Sequence, residues 1–264
     1  MGEKLYFGGD LSAREPVQII LVGAGGTGSE MLARLVKMHF RLTALDMPGL
    51  HVTVLDPDVV SEANVGQQNF WPSDVGLPKA QLLVERYNCA AGLGWGYGNC
   101  AFSPDILGEH QINGPAGGAI LITCTDSPEL RWEIGQFDLG SMLWIDSGND
   151  RASGQVVLGH TGDVHAQYVP NVADLYPGLE TTFKVEGDSC SAADSLRKQA
   201  YGINEAMAAS VGRMVWELVY NSCIDYHMTL INLADDIVEQ KLPIDPEQWA
   251  IMGFSRSQAQ GVAA

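Results

Sequence analysis

The segment Val17-Gln18-Ile19-Ile20-Leu21-Val22-Gly23-Ala24-Gly25-Gly26-Thr27-Gly28-Ser29 is an apolar run that breaks into glycines and then into helix-compatible sequence. Its chemistry is that of a phosphate site. A buried parallel strand reads as a continuous apolar run, and glycines directly after it let the backbone turn sharply and bring N–H groups to phosphate oxygens at a helix N-terminus. Gly23, Gly25 and Gly28 fit the dinucleotide fingerprint, and Gly26 lies inside the same loop. The competing reading is a tight strand-to-helix turn with no ligand. His51 to Leu55 then reads as a second strand that ends in Asp56, where an acid accepts hydrogen bonds from a ribose hydroxyl. That acid suits a hydride-transfer enzyme and an ATP enzyme alike. Ala119 to Asp126 is the clearest internal strand, and its carboxyl end, where open α/β sheets bind ligands, carries Asp126. Asp126 also stands where it can cap a helix beginning near Pro128.

Two further segments separate these possibilities. They are Asp56-Pro57-Asp58-Val59-Val60-Ser61-Glu62-Ala63-Asn64-Val65-Gly66-Gln67-Gln68-Asn69-Phe70 and Asp74-Val75-Gly76-Leu77-Pro78-Lys79-Ala80. With the glycine loop they resemble the ThiF, MoeB and E1 superfamily, whose members use ATP to activate the C-termini of ubiquitin-like proteins and sulfur carriers. That family reads GxGGxGS, DxDxVxxSNLxRQ, DVGxxKA and a strand ending in TD, and this chain supplies a version of each in order. The run Ser189-Cys190-Ser191-Ala192-Ala193-Asp194-Ser195-Leu196, with Asn232-Leu233 and Leu242-Pro243-Ile244-Asp245-Pro246, resembles the bacterial ThiF-like proteins of the PRTRC cassette.

The resemblance implies adenylation. A carboxylate attacks the α-phosphate of ATP, pyrophosphate leaves, and the resulting mixed anhydride can be opened by a thiol or amine. Catalysis of this kind is positioning and charge neutralisation. Position by position, the resemblance gives Gly25 to Gly28 the phosphate amides, Lys79 the positive charge, Asp126 the carboxylate for Mg²⁺, Asp56 the ribose and Asn64 a polar contact to the nucleotide, with Arg131 a secondary candidate. Each has a plainer alternative: a solvated lysine at a helix start, a helix cap, a turn-fixing asparagine, a surface ion pair. Cys190 is the candidate acceptor thiol, between a polar crossover and a helix, although Asp188 and Asp194 oppose its thiolate and a structural cysteine is the alternative. The implied partners are a small ubiquitin-like or sulfur-carrier protein ending in Gly, a second copy of the chain in a homodimer, and the E2-like and JAB-protease proteins of such a cassette. A monomer, with the helix from Arg197 buried on its own sheet, is the alternative to the dimer.

One departure bears on mechanism. Where the family pattern has Arg, this chain has Gln67, so a permanent guanidinium becomes a neutral amide and phosphate binding weakens. The upstream arginine segment of the family is also missing, with Arg14 the nearest arginine. Two other classes therefore stay open: a catalytically weak E1-like binding module, and an NAD(P)-dependent Rossmann oxidoreductase in which the two later motifs are accidental.

The elements that must position these residues form an α/β, Rossmann-like doubly wound mixed sheet, parallel in its N-terminal half and antiparallel toward the C-terminus. Met31, Leu32, Leu35 and Val36 give one buried helix face after the glycine loop. A helix runs through Gln81 to Tyr87, a Gly-rich stretch with a weak strand fills Cys89 to Gly118, and Pro128 to Phe137 forms another helix. Met142 to Asp146, Gln155 to Gly159 and His165 to Val169 read as strands, Pro170 to Gly187 as an exposed crossover, and Arg197 to Tyr220 as a long helix with Ile203, Met207, Val211, Met214, Val215 and Leu218 as its stripe. One domain over 1–264 is expected, with a crossover loop at about 170–190 and an extension at about 221–264. With 15 Lys and Arg against 32 Asp and Glu, the formal net charge is −17, which disfavours nucleic acid and anionic membranes. No run is long enough to span a bilayer and no basic start precedes an apolar core, so a cytoplasmic protein is expected. Cys89, Cys100, Cys124, Cys190 and Cys223 form no CxxC pair, so neither zinc nor a disulfide framework is expected. Many MoeB-like and E1-like relatives do carry such pairs.

Overall fold

A computed structural model describes residues 2–8, 15–109, 118–140, 142–162, 165, 167–181, 199–234 and 238–256. The chain opens with β1 (Leu5–Tyr6), and β2 (Val17–Val22) then leads through the glycine loop into α1 (Gly26–Thr43). Next come β3 (Leu50–Leu55), α2 (Lys79–Ala91), β4 (Gly96–Gly98), α3 (Asp105–Glu109), β5 (Ala119–Thr123), α4 (Pro128–Gly135) and β6 (Leu143–Asn149). The C-terminal part holds β7 (Ser153–His160), α5 (Val172–Leu175), α6 (Ile203–Tyr220), β8 (Cys223–Ile224), β9 (Tyr226–Asn232), β10 (Val238–Pro243) and α7 (Pro246–Ile251).

Eight strands form one sheet in the order β10-β9-β7-β6-β5-β2-β3-β4. β2 pairs in parallel with β3 on one side and β5 on the other, β6 continues parallel to β5, and β7, β9 and β10 are antiparallel to their neighbours. This is the expected doubly wound mixed sheet. From β2 the chain winds outward through β3 and β4, then crosses back to β5, so the carboxyl ends of β2 and β5 frame a crevice at the reversal point. The apolar run of β2 is central, and five of its six residues are buried, as a strand covered on both faces requires. On α1, Met31, Leu32 and Leu35 are buried, with Val36 partly so. All six residues of the α6 stripe are buried, and α6 packs along α1 on one face of the sheet.

Three expectations change. His165 to Val169 is not a strand: the His160 N–H bonds the Val169 carbonyl at 2.9 Å and Asn171 caps a short helix, its side chain accepting from the Ala173 and Asp174 amides. The crossover is not wholly exposed, because Val172 and Leu175 of α5 are buried before a 3-10 turn at Pro177–Thr181. The long helix begins at Ile203, since Gly202 at φ +89° is in the left-handed conformation that a helix interior does not accept. Residues 182–198 lie outside the described residues.

The C-terminal segment, read from sequence only as an extension, supplies sheet strands β9 and β10 and an aromatic clasp. Trp249 is buried and donates from Nε1 to His227 Nε2 at 2.7 Å, while the Arg256 guanidinium lies 4.8 Å from the Trp249 ring and pairs with Glu3 at 2.9 Å. A proton on His227 Nε2 would end that acceptor role. Burial pushes His227 down to about 4, and burial with the neighbouring His165 pushes His160 down to about 4, from an ordinary 6.5. Because both values are depressed, the unfolded chain takes up protons below pH 6.5 that the folded chain refuses, and each unit of that gap costs about 1.4 kcal/mol. The melting temperature should therefore hold steady above neutrality and fall as the pH drops from 6.5 toward 4. His227→Gln, which keeps an acceptor for Trp249, should flatten that fall, and a slope unchanged in thermal melts across this range would contradict the assignment.

Candidate functional site

A cavity of about 860 Å³ opens at the carboxyl ends of β2, β3 and β5. The glycine loop forms one wall, and each glycine has a different task. A Cβ on Gly28 would lie 1.9 Å from the Gly23 carbonyl oxygen, and one on Gly23, at φ +94°, would lie 2.5 Å from the Cys124 carbonyl oxygen. These two permit the tight turn and the close approach of the β2 and β5 ends. Gly25 is open on the cavity side, where a Cβ would meet only Gln68 Nε2, at 3.8 Å. It precedes the first turn of α1, whose amides have no intrahelical acceptor. That is the arrangement in which helix N-termini hold anions.

Asp56 ties the loop to the next strand. Its Oδ2 accepts the Ala24 N–H at 2.6 Å and its Oδ1 accepts the Asp58 N–H at 2.8 Å, with the carboxylate buried at the cavity edge. Burial raises its pKa, and the two N–H bonds and Lys79 oppose that rise. Lys79 opens α2, is 6% exposed, and donates from Nζ to Asp58 Oδ2 at 3.0 Å. It is placed there by backbone pairing between the two motif segments: Lys79 N–H to Asp58 carbonyl at 3.0 Å and Val60 N–H to Leu77 carbonyl at 2.9 Å. Asp74 accepts the Trp71 N–H and the Arg86 guanidinium, which anchors the start of α2 from below. The two motifs are one structural unit.

On the opposite wall Asp126 is exposed, lines the cavity and has no hydrogen-bond or ion-pair partner among the described residues. It does not cap α4; Ser127 does, accepting the Leu130 N–H at 3.2 Å. The Arg131 side chain spans the floor, with Nε on both oxygens of the 1% exposed Asp146 at 2.9 and 3.0 Å, and Nη2 on the carbonyls of Thr125 at 2.5 Å and Ser147 at 3.1 Å. Thr123 donates to Asp146 at 2.6 Å and accepts from Trp144 Nε1 at 2.8 Å. This buried pair fixes the ends of β5 and β6 against α4. Arg131 and Asn149 also line a second cavity of about 840 Å³, bounded by Val172, Leu175 and Tyr176, so two hollows meet at one guanidinium.

The structure brings Gly23, Gly25, Gly26, Asp56, Gln67, Lys79, Asp126 and Arg131 around one cavity. Asn64 is not among its lining residues; its Oδ1 accepts the Ser61 N–H at 2.8 Å and holds its own turn. Gly28 acts behind the loop, and Cys190 lies outside the described residues. Sequence reading passed over Asp58, Gln68, Ser147, Asn149, Gln199 and Asn204, which also line the cavity. Gln68 Oε1 and the Oγ of the 3% exposed Ser147 are buried without a hydrogen-bond partner among the described residues, a state that an ordered water or a bound polar group relieves. Asn204 Oδ1 accepts from Thr27 Oγ1 at 3.2 Å, and a Cβ on Gly26 would collide with the Asn204 amide. Gln68 was legible as the second half of the motif's terminal pair. Asp58 was legible as the second acid of the DxDxV motif, and Ser147, Asn149, Gln199 and Asn204 carry no local signal. Cys89 and Cys100 are exposed, not buried as simple structural thiols, and Cys100 lines the cavity. Burial pushes the Cys124 thiol up.

Residues 9–92 match the ThiF family. Among solved structures, Escherichia coli MccB with ATP superposes with a TM-score of 0.57 at 13% identity, covering 89% of this chain and 66% of that one. MccB in complex with N-formylated MccA gives 0.56 at 13%, covering 86% and 64%, and PaaA gives 0.51 at 17%, covering 86% and 64%. The chain thus spans a little under two thirds of each of these proteins, which share its fold. The chain resembles the ThiF family over its motif-bearing end, residues 9–92, and across the remainder shares the fold of MccB and PaaA.

Proposed function

We propose that the chain adenylates the C-terminal carboxylate of a ubiquitin-like or sulfur-carrier protein with ATP. The observation that carries this reading is the cavity's composition: a glycine loop at a helix N-terminus, a buried lysine and a partner-free carboxylate on separate walls, and two orphaned polar atoms between them. The residues fit a nucleotide. Amides of the Gly25 to Gly28 turn receive phosphate oxygens, Asp56 keeps lone pairs for ribose hydroxyls beyond its two N–H bonds, and Lys79 adds positive charge from the Asp58 side. Asp126 would hold Mg²⁺, an ion that takes one or two protein carboxylates together with phosphate oxygens and water; magnesium supplies charge neutralisation to the departing pyrophosphate.

In the reaction the substrate carboxylate oxygen bonds to the α-phosphorus as the bond to the β-phosphate bridging oxygen breaks, giving acyl adenylate and pyrophosphate. This chain's residues hold the two reactants in line and shield their charges. The second cavity, joined at Arg131 and Asn149, is the place for the incoming tail, and MccB has been solved both with ATP and with N-formylated MccA. Transfer to Cys190 would form a thioester as AMP leaves, with the thiol proton passing to solvent. A homodimer, and E2-like and JAB-protease partners, complete the reading. Gln67 favours a second one, a binding subunit with weak activity, because the cavity wall there carries an uncharged amide.

Asp126→Ala should reduce ATP–pyrophosphate exchange by at least about a hundredfold while shifting the melting temperature by less than about 2 °C, as a partner-free exposed side chain should. The exchange is measured with a small β-grasp protein ending in Gly as the carboxylate substrate. Tight NADH binding with none for ATP would replace this reading with the oxidoreductase one. For Gln67→Arg the expected result is faster exchange, because a charge-assisted hydrogen bond to phosphate is roughly twice as strong as a neutral one; slower exchange would show a site rebuilt around the amide. A thiol-sensitive adduct with the small protein on a non-reducing gel should vanish in Cys190→Ala. Its persistence would remove Cys190 from the pathway.

A further inference from the structure

Away from the nucleotide cavity, α1 and α6 meet along a cleft of about 330 Å³. Arg34, Lys37 and Arg41 project from one face of α1 at i, i+3 and i+7, and Arg213, Trp216 and Tyr220 do the same on α6. Four cations on one face are unexpected in a chain with 15 Lys and Arg against 32 acids. They are only partly neutralised. Arg213 pairs with Glu239, and Glu217 lines the cleft, but Lys37 and Arg41 are exposed and pair with no carboxylate among the described residues. Arg34 donates from Nη2 to the Glu205 carbonyl at 3.2 Å, and its buried Nε has no partner among the described residues.

The same face is aromatic. The Arg41 guanidinium sits 4.9 Å from the Trp216 ring, Trp216 stacks on Tyr220 at 4.7 Å, and Phe40 and Tyr220 are 46% and 43% exposed. Exposed aromatics beside arginines are the composition of interface centres. A second copy of the chain does not fit. A two-fold contact would set this cationic patch against itself. A nucleic acid gains little from four cations embedded in a net charge of −17. Charge complementarity and the apolar floor leave an acidic polypeptide.

We propose that the α1–α6 face is a docking site for an acidic peptide segment of another protein, anchored by an apolar side chain against Trp216 and held by carboxylates on Lys37, Arg41 and Arg34. This surface is separate from the adenylation cavity, and its test does not depend on activity. The probe is a short fluorescein-labelled peptide of alternating Glu and Leu, read by anisotropy, with its Gln-for-Glu counterpart and a labelled oligothymidylate as controls. The intact chain should bind the acidic peptide in a salt-sensitive manner and not the neutral one. Lys37→Glu/Arg41→Glu, both at exposed positions, should weaken binding at least about tenfold, equivalent to about 1.4 kcal/mol, with the folded structure retained by circular dichroism; Trp216→Ala should weaken it independently of salt. Equal binding by wild type and charge variant, no binding by wild type, or tighter binding of the oligothymidylate would each overturn the proposal. So would a light-scattering result in which the charge variant breaks a dimer of the wild type without altering peptide binding.

Discussion

The Asp56 carboxylate is the point on which the site is built. One oxygen holds the Ala24 amide and the other holds the Asp58 amide, so a single buried anion sets the glycine loop against the turn that follows β3. Asp58 in turn receives Lys79 through both its backbone carbonyl and its side chain. Loop, buried acid and buried lysine are thus linked in series across residues 24 to 79. Charge-assisted bonds to a buried carboxylate are strong and directional, and they let a loop made largely of glycine hold one shape before any ligand arrives. Preorganisation of this kind is what an electrostatic site requires.

A second buried anion does the same for the other wall. Asp146, bound by Arg131 and Thr123, joins β5, β6 and α4, and the guanidinium's remaining bonds go to carbonyls at the strand ends. An isolated buried pair of this sort contributes little net stability against an apolar replacement, yet removing one partner strands a charge in the interior. Its value here is geometric, because it holds the rim from which Asp126 projects and fixes the boundary between the two cavities. The site is therefore a cleft between two anion-centred clamps, lined by Asp126, Gln68 and Ser147, whose Asp126 carboxylate, Gln68 Oε1 and Ser147 Oγ have no hydrogen-bond partner among the described residues.

The molecule's strong acidity makes local cation placement informative. Lys79 is buried and Arg131 partly buried at the cavity, and Arg34, Lys37, Arg41 and Arg213 cluster on the far face of α1 and α6. The long-range field of the chain repels anions. An anionic ligand in the cavity is consequently recognised at short range by desolvated groups, and the uncharged amide of Gln67 at its wall carries more weight than it would on a basic protein.

The sequence alone determined the parallel half of the sheet, the glycine loop, the acids at the ends of β3 and β5 and the buried stripes of α1 and α6, because each is a local pattern: a period, a run or a fixed-spacing motif. Asp56, Lys79 and Asp126 were legible for the same reason. Tertiary structure decided the rest. β9 belongs to the sheet through antiparallel pairing with β7 and β10 through pairing with β9, which no local period announces, and the His165 to Val169 run lost its strand to the Asn171-capped turn. Asn149, Ser147, Gln199 and Asn204 reach the glycine loop from segments more than a hundred residues away, and Asn64, singled out by its motif, is held in its own turn. Spacing in sequence fixes what neighbours along the chain can do. Which distant side chains share a cavity is set only when the sheet closes and brings the ends of its strands together.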